Sequence, residues 1–397
     1  MFLEFFIWGA WFVTLGTFLG TNLKASGAET AAVFSTQSWG AIIAPFIIGL
    51  IADRYFNAER ILGVLHLVGA FLMYQMYQSS DLSSFYIYVF SYMVLYMPTL
   101  ALVNSVAFNQ MKDPEKEFSS IRVWGTIGWI VAGLSISYVF HWDSVESLAS
   151  GMLKNTFLLA GIAALVLGLL SFTLPATPPK VSDEKIKIGD IIGLDALKLL
   201  KDKNFAVFFI SSILICIPLA FYYQNANPFL TESGLENPTG KMAIGQISEA
   251  LFLLLIPVFF SKYGFKKTIL VGMVAWALRY ALFAYGNGGE LSFMLIIGIA
   301  LHGICYDFFF VSGQIYTNSK AGDKYKSAAQ GLITLATYGV GMLIGFAVAG
   351  WITDNYKTAT GTINWEMVWI IPAGIALAVF VLFALTFNDK NKTEVSH

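Results

Sequence analysis

Charge is scarce in this chain. Only 12% of its 397 residues are charged, about half the share of an ordinary soluble protein. Neither sign dominates, since 24 Lys and Arg face 25 Asp and Glu for a net charge of −1. That balance excludes the footprint of a nucleic-acid or polyanion binder. Cysteine is nearly missing too. Cys216 and Cys305 both fall in apolar stretches, which argues against a disulfide framework and against a zinc site. No paired His/Asp spacing for a metal and no nucleophile motif can be found, so neither an enzyme nor a resident cofactor is expected. No cleavable leader is expected either: the apolar stretch 5–23 has no basic flank and is long enough to cross a bilayer.

What fills the chain instead is long apolar runs, with 57% of residues hydrophobic. Roughly 20 such residues cross the hydrocarbon core as a helix. Runs of that kind occupy 5–23, 30–52, 61–80, 82–111, 123–142 and 155–179. A second set occupies 205–231, 242–260, 268–289, 291–319, 327–353 and 367–388. Between the sets lies 180–203, which holds six lysines and includes a stretch, 193–200, that reads as a short amphipathic surface helix. The expected organisation is an all-α polytopic membrane protein: a six-helix bundle in 1–179, a basic linker in 180–204, and a second bundle with a short tail in 205–397.

Basic residues orient the chain. With the N-terminus inside, the outer loops hold only Lys24, Lys154, Lys241 and Lys357, and Arg279 lies within a span. All other Lys and Arg fall on the cytoplasmic side. Both termini are therefore expected inside. A tight basic turn recurs in matching places of the two halves, at 52–62 and 261–270, as in duplicated transporters.

Intramembrane polar residues carry the functional reading, because each is costly there. Glu249 sits in the run 242–260 with Gln246 three residues earlier, on one helical face. It is a candidate proton carrier, since desolvation penalises the charged form; a structural hydrogen bond to a neighbouring helix is the plainer alternative. Asp307 is the second acid, split between coupling and structural roles. His302 and Tyr306 share a face at i, i+4, with Asp307 about 100° away. Arg122, Thr126 and Trp129 form a stripe that suits a flat polar ligand, Trp129 stacking and the others hydrogen-bonding. Alternatively, Arg122 snorkels to the surface and Trp129 faces lipid. Tyr223, Gln224 and Asn227 precede Pro228 and suggest a broken helix end with amides free for a ligand, or else an exposed outer mouth.

The loop Gly49-Leu-Ile-Ala-Asp53-Arg54, with Arg60 beyond it, resembles the loop signature of the major facilitator superfamily, in which Asp53 and Arg54 would serve gating and structure. A longer series resembles the NupG-type nucleoside:proton symporters of that superfamily. It comprises Trp8-Gly-Ala-Trp11 with Thr14-Leu-Gly16, Met97-Pro98-Thr99-Leu100 with Asn104, and Ile121-Arg-Val-Trp-Gly-Thr-Ile-Gly128. It continues through Gly193-Leu-Asp-Ala196, Gln246-Ile-Ser-Glu249, Leu278-Arg279-Tyr-Ala-Leu-Phe-Ala-Tyr-Gly286, Tyr306-Asp-Phe-Phe309 and Ala328-Ala-Gln-Gly331. The resemblance implies a twelve-helix, two-bundle transporter in a bacterial cytoplasmic membrane. It implies import of nucleosides with protons by alternating access, in a monomer with no cofactor and no nucleic-acid partner. Arg122, Thr126 and Trp129 would then contact ligand from the first half. Gln246 and Glu249 would do so from the second, Glu249 engaging ribose hydroxyls and sharing proton coupling with Asp307. His302 and Tyr306 fall where ligand-facing aromatics are expected. Span seven departs from the family, because its polar pair superposes only with a shift, which leaves base preference open. A proton-coupled transporter of a sugar or another small polar solute is the alternative, with Trp129 stacking on a pyranose.

Overall fold

Hydrocarbon offers peptide groups no hydrogen-bond partner, so apolar runs of this length satisfy their backbones internally as helices. The computed structural model describes residues 1–47, 56–179, 194–359 and 361–388. Among these, the only extended pairing is an isolated bridge between Lys357 and Ile363. Asp53 and Arg54 lie outside the described residues.

The chain divides into two compact units. The first comprises Met1–Ile186, Gln224–Glu232 and Glu236–Ala243; the second comprises Lys187–Tyr223, Ser233–Leu235 and Ile244–His397.

In the first unit the helices are α1 (Phe2–Gly9), α2 (Leu15–Thr21), α3 (Gly27–Ile47), α4 (Ala58–Gln78) and α5 (Leu82–Gln110). They are followed by α6 (Pro114–Leu134), α7 (Val145–Ala149) and α8 (Asn155–Ser171). Helix α1 packs on α6 and α8, α3 on α5, and α4 on α5 and α8. The core is aromatic: Trp11 meets Phe12, Tyr92 and Phe157, and Phe18 meets Phe85 and Phe157. Close approach of α1 to α6 depends on glycine. A Cβ on Gly125 would lie 2.7 Å from the Phe5 ring, and one on Gly128 would strike the Phe2 carbonyl. Asp81 caps α5 by accepting from the Ser84 amide at 2.9 Å, and that bond holds its carboxyl below the usual aspartate range.

The second unit begins with a 3₁₀ turn at Leu194–Lys201, then α9 (Lys203–Glu232), α10 (Pro238–Tyr285), α11 (Ser292–Ala300) and α12 (His302–Tyr306). After a π-helical turn at Asp307–Val311 come α13 (Ser312–Thr334), a second π stretch at Leu335–Gly341, α14 (Met342–Asn355) and α15 (Trp365–Thr386). Helix α10 is 48 residues long but turns at Gly264, where φ is 75° and ψ 172°. Gly322 breaks α13 in the same way, with φ 64° and ψ 171°. Both are left-handed positions that only glycine adopts without strain. Beside the first break, the Lys266 ammonium donates to the carbonyls of Ala384 and Phe387, at 2.8 and 2.6 Å, and so closes the C-terminal end of α15.

Among the described residues, eight continuous helical stretches are long and apolar enough to cross a membrane. Of the other expected spans, one shares α10 with its neighbour, one is interrupted between α1 and α2, and two correspond to α3 and α6. The short helix expected in 193–200 is present as a 3₁₀ helix at Leu194–Lys201, with Ala196 buried against Ala321, Ala329 and Leu332. One expectation is corrected. Span seven does not break at Pro228: α9 runs through it to Glu232. Proline removes only its own bond to the carbonyl four residues back, here Gln224. A Cβ on Gly16 would collide with that oxygen and lie 3.0 Å from the Pro228 ring, so glycine is required where α2 crosses this turn.

Candidate functional site

In the first unit, the Arg122–Trp129 stripe of α6 faces α1. The Arg122 guanidinium lies 4.2 Å over the Phe5 ring, and Trp129 meets Trp8 edge-on at 5.6 Å. Val123 and Trp124, on the other side of α6, are exposed. Phe5 and Trp8 are three residues apart on α1, so a helical stripe on each helix meets its counterpart. Thr126 lies between Arg122 and Trp129 and is half-buried.

The end of α9 supplies the amides to this unit. Gln224 is fully buried, and neither its Oε1 nor its Nε2 has a hydrogen-bond partner among the described residues. Such a group is expensive to leave unmet, at about 1–3 kcal/mol, and a ligand's polar edge would satisfy it. Asn227 differs, because both ends of its amide are engaged. Its Oδ1 accepts from Thr17 at 2.5 Å and its Nδ2 donates to Thr239 at 3.1 Å. Next to it, Asp143 accepts from the Thr239 amide at 3.1 Å and from the Ser137 hydroxyl, whose oxygen accepts from the Gly240 amide at 2.7 Å.

In the second unit, small residues bring α10 and α12 together. A Cβ on Gly303 would lie 2.5 and 2.6 Å from the Ser248 and Glu249 backbones, and Gly245 sits against His302. Ser248 donates a short hydrogen bond to the Ala300 carbonyl at the same crossing. This contact sets Glu249, whose side chain is 29% exposed, with its Oε2 3.8 Å from His302 Nε2. His302 is buried and stacks on Tyr222, with ring centres 5.1 Å apart at 26°. Its Nδ1 lies 2.9 Å from Arg279 Nη1, and the Arg279 guanidinium is 3.6 Å over the same Tyr222 ring.

That geometry fixes a tautomer. A guanidinium has only donors, so His302 Nδ1 must accept, and the ring's proton sits on Nε2, toward Glu249. The result is a chain from cation through neutral imidazole to carboxylate.

His302 and Tyr306 share a face, their rings 5.8 Å apart. The Tyr306 hydroxyl makes a short bond with that of Tyr338, which lies in the second π stretch. Asp307 opens the first π turn; it is 1% exposed, and neither carboxyl oxygen has a hydrogen-bond partner among the described residues. Gln246 is half-buried one turn before Glu249, and Tyr223 is half-buried beside Tyr222. Among the described residues no His, Cys, Asp and Glu cluster could hold a metal ion.

Sequence reasoning passed over four participants. Arg279 and Tyr222 were visible only as an odd charge and an aromatic, because their partner His302 is remote in the chain. In the first unit Glu4 and His66 form a buried pair at 2.8 Å. Glu4 stands one residue before the run taken as the first span.

A helical protein with membrane-length segments and buried acids in its spans belongs to the class of secondary transporters. Residues 1–392 match the family model described as "Nucleoside H+ symporter", and the chain belongs to that family. It is 42% identical to the putative nucleoside transporter YegT of Escherichia coli strain K12, over 98% of this chain and 93% of that one. It is 32% identical to the nucleoside permease NupG of the same strain, over 98% and 94%. The crystal structure of the nucleoside transporter NupG superposes with a TM-score of 0.86 at 31% identity, covering 98% of this chain and 97% of the other. The fold is thus that of the major facilitator superfamily, and the protein is a transporter, as the motifs imply.

Proposed function

We propose that this protein imports nucleosides with protons across a bacterial cytoplasmic membrane, both termini lying inside. Residues 1–179 and 205–397 would act as the alternating halves, joined by 180–204. The observation that carries the site assignment is the chain Arg279–His302–Glu249. Arg279 holds the imidazole so that its Nε2 proton points to Glu249, and Glu249 keeps an accessible carboxylate for the ribose hydroxyls. Gln246 adds an amide on the same face. In this reading His302 positions Glu249 and does not touch ligand, whereas Tyr306 and Tyr223 line the ligand path.

From the first half, Trp129 stacks on the base, and Arg122 and Thr126 supply hydrogen bonds. Gln224 reads the base edge, since among the described residues its buried amide has both donor and acceptor unmet. Asn227, tied to Thr17 and Thr239, holds the end of α9. Asp307, buried and unpaired, carries the transported proton as a neutral acid that must meet a cation or water to release it. The protein works as a monomer in the bilayer.

The test is uptake of labelled uridine and adenosine into proteoliposomes, with and without an inward proton gradient. Gradient-dependent accumulation that unlabelled nucleosides compete away and sugars do not is the expected result. Uptake indifferent to the gradient would end the coupling assignment, and competition by sugars alone would redirect the substrate assignment.

A further inference from the structure

The mechanism above leaves unused the most deeply buried acid of the first unit. Glu4 is 0% exposed on α1, yet two elements direct three polar groups at it. His66 of α4 places Nε2 2.8 Å from its Oε2. Thr99 of α5 places its hydroxyl 2.6 Å from its Oε1, and the Tyr96 hydroxyl donates to its backbone carbonyl at 2.7 Å. The Thr99 oxygen also lies 2.5 Å from the Tyr96 carbonyl. Other charged or titratable groups in reach are Tyr92 of α5, Arg122 of α6 and the Met1 amino group, while α8 has none. Burial pulls the Met1 amino group below its ordinary range, with Glu4 opposing that effect.

Counting hydrogens decides the state of this cluster. Three short contacts need three hydrogens: His66 to Glu4, Glu4 to Thr99, and Thr99 to the Tyr96 carbonyl. A hydroxyl has one hydrogen and a carboxylate none. With Glu4 ionised, His66 and Thr99 supply two, and the single Thr99 hydrogen serves Oε1 and the Tyr96 carbonyl together only as a divided, weaker bond. An imidazolium at His66 changes nothing, because its second hydrogen is on the other ring nitrogen. With a proton on Oε1, Glu4 donates to Thr99, Thr99 to the carbonyl, and His66 to Oε2, so every contact is met.

We propose that Glu4, with His66 and Thr99, is a second proton-binding site of the transporter, lying within the first unit. The site reaches ligand through α1. Phe5 follows Glu4 directly and Trp8 lies about one turn further along α1, and the two rings bear on Arg122 and Trp129. Protonation closes the network of α1 with α4 and α5, which steadies the α1 face behind the ligand stripe of α6. Losing the proton leaves the Thr99 hydrogen divided and loosens that face. By linkage, a proton at Glu4 and nucleoside at α6 strengthen each other's binding. The inference rests on the proton-coupled reading above.

Glu4→Gln is the test, since glutamine donates to Thr99 and accepts from His66 as the protonated acid does. Full-length protein in proteoliposomes is assayed for gradient-driven uridine accumulation and for uridine counterflow. Uridine affinity is measured in detergent from pH 5.5 to 8. Wild-type accumulation is the control, and its absence would overturn the transport reading itself, separately from this one. The variant is expected to lose accumulation at least about tenfold, keep counterflow, and hold the low-pH affinity at all pH values. Wild-type accumulation with an unchanged pH profile in the variant would overturn the proposal. If Glu4→Gln yields no folded protein, Thr99→Ala takes its place: it removes the acceptor of the Glu4 proton and is expected to displace the pH midpoint of affinity. An unmoved midpoint there would equally overturn it.

Discussion

Replacing His302 by phenylalanine and by asparagine separates the two things this ring does. Phenylalanine can keep the stack on Tyr222, now 5.1 Å between centres, but it removes the acceptor for Arg279 Nη1. Arg279 is fully buried, and its Nε and Nη2 already lack hydrogen-bond partners among the described residues. The lost bond involves a charged group and is worth about 1.5–3 kcal/mol. Asparagine keeps an acceptor where Nδ1 now sits and gives up the stack and some volume, a cost of about 1 kcal/mol. Thermal unfolding in detergent should therefore rank wild type above His302→Asn and His302→Phe lowest, despite phenylalanine's greater bulk and apolarity. The pH profile gives a second readout. With Nδ1 accepting from a permanent cation, the ring has no place for another proton, so His302→Asn should leave the pH midpoint of nucleoside uptake where it is. A phenylalanine variant as stable as the asparagine one, or a displaced midpoint in His302→Asn, would refute the assigned tautomer.

Three further outcomes follow from the same geometry. Gln224→Leu should be neutral or slightly stabilising in thermal unfolding, because an unmet buried amide is replaced by an apolar isostere, and nucleoside affinity should fall about tenfold with the lost hydrogen bonds. Gly303→Ala should cost about 1–3 kcal/mol, as its Cβ would press on the Ser248 and Glu249 backbones; uptake would drop as Glu249 moves from His302. Asp202 caps α9 through the Phe205 amide at 3.0 Å and pairs with Lys320 at 3.0 Å. Burial pushes its carboxyl up, but the Phe205 amide and Lys320 outweigh this and hold it below the aspartate range. The stabilisation is therefore present above about pH 4 and is lost as pH falls through the depressed value. Asp202→Ala should cost about 1 kcal/mol and Asp202→Asn much less, since the cap persists and the exposed ion pair contributes little.

Periodicity and length carried most of the architecture. Apolar runs bounded by basic turns become helices because the bilayer leaves no alternative, and the Arg122–Trp129 stripe is one face because 3.6 residues make a turn. The failures have a common origin in partners distant along the chain. Pro228 read as a break, but within the membrane an unwound turn has nothing to bond with, and the helix keeps its course past a single missing bond. Arg279 had no visible purpose because its partners lie on α9 and α12. Glu4 stands one residue outside the first apolar run, so a reading based on uncharged runs passes over it. Only packing against α4 and α5 shows that this end of α1 is interior.

Each unit holds one glutamate beside one histidine, and their geometries suit opposite tasks. Glu4 and His66 are 2.8 Å apart, 0% and 2% exposed, with Thr99 positioned to take a hydrogen from the acid. That arrangement admits a proton and shuts out a larger ligand. Glu249 and His302 are 3.8 Å apart with 29% of the acid exposed, and Arg279 occupies the nitrogen at which the ring would take a proton. In the proposed reading that arrangement leaves the acid accessible to ribose hydroxyls, with the proton on the histidine's other nitrogen directed toward it. The two pairs thus differ through their third members: a hydroxyl that can accept makes one a proton site, and a guanidinium that can only donate makes the other a ligand site. Exchanging those members is the sharpest consequence. Thr99→Val should displace the pH midpoint of nucleoside affinity while sparing counterflow, and Arg279→Gln should release the imidazole from its fixed tautomer and lower nucleoside affinity by loosening the hold on Glu249.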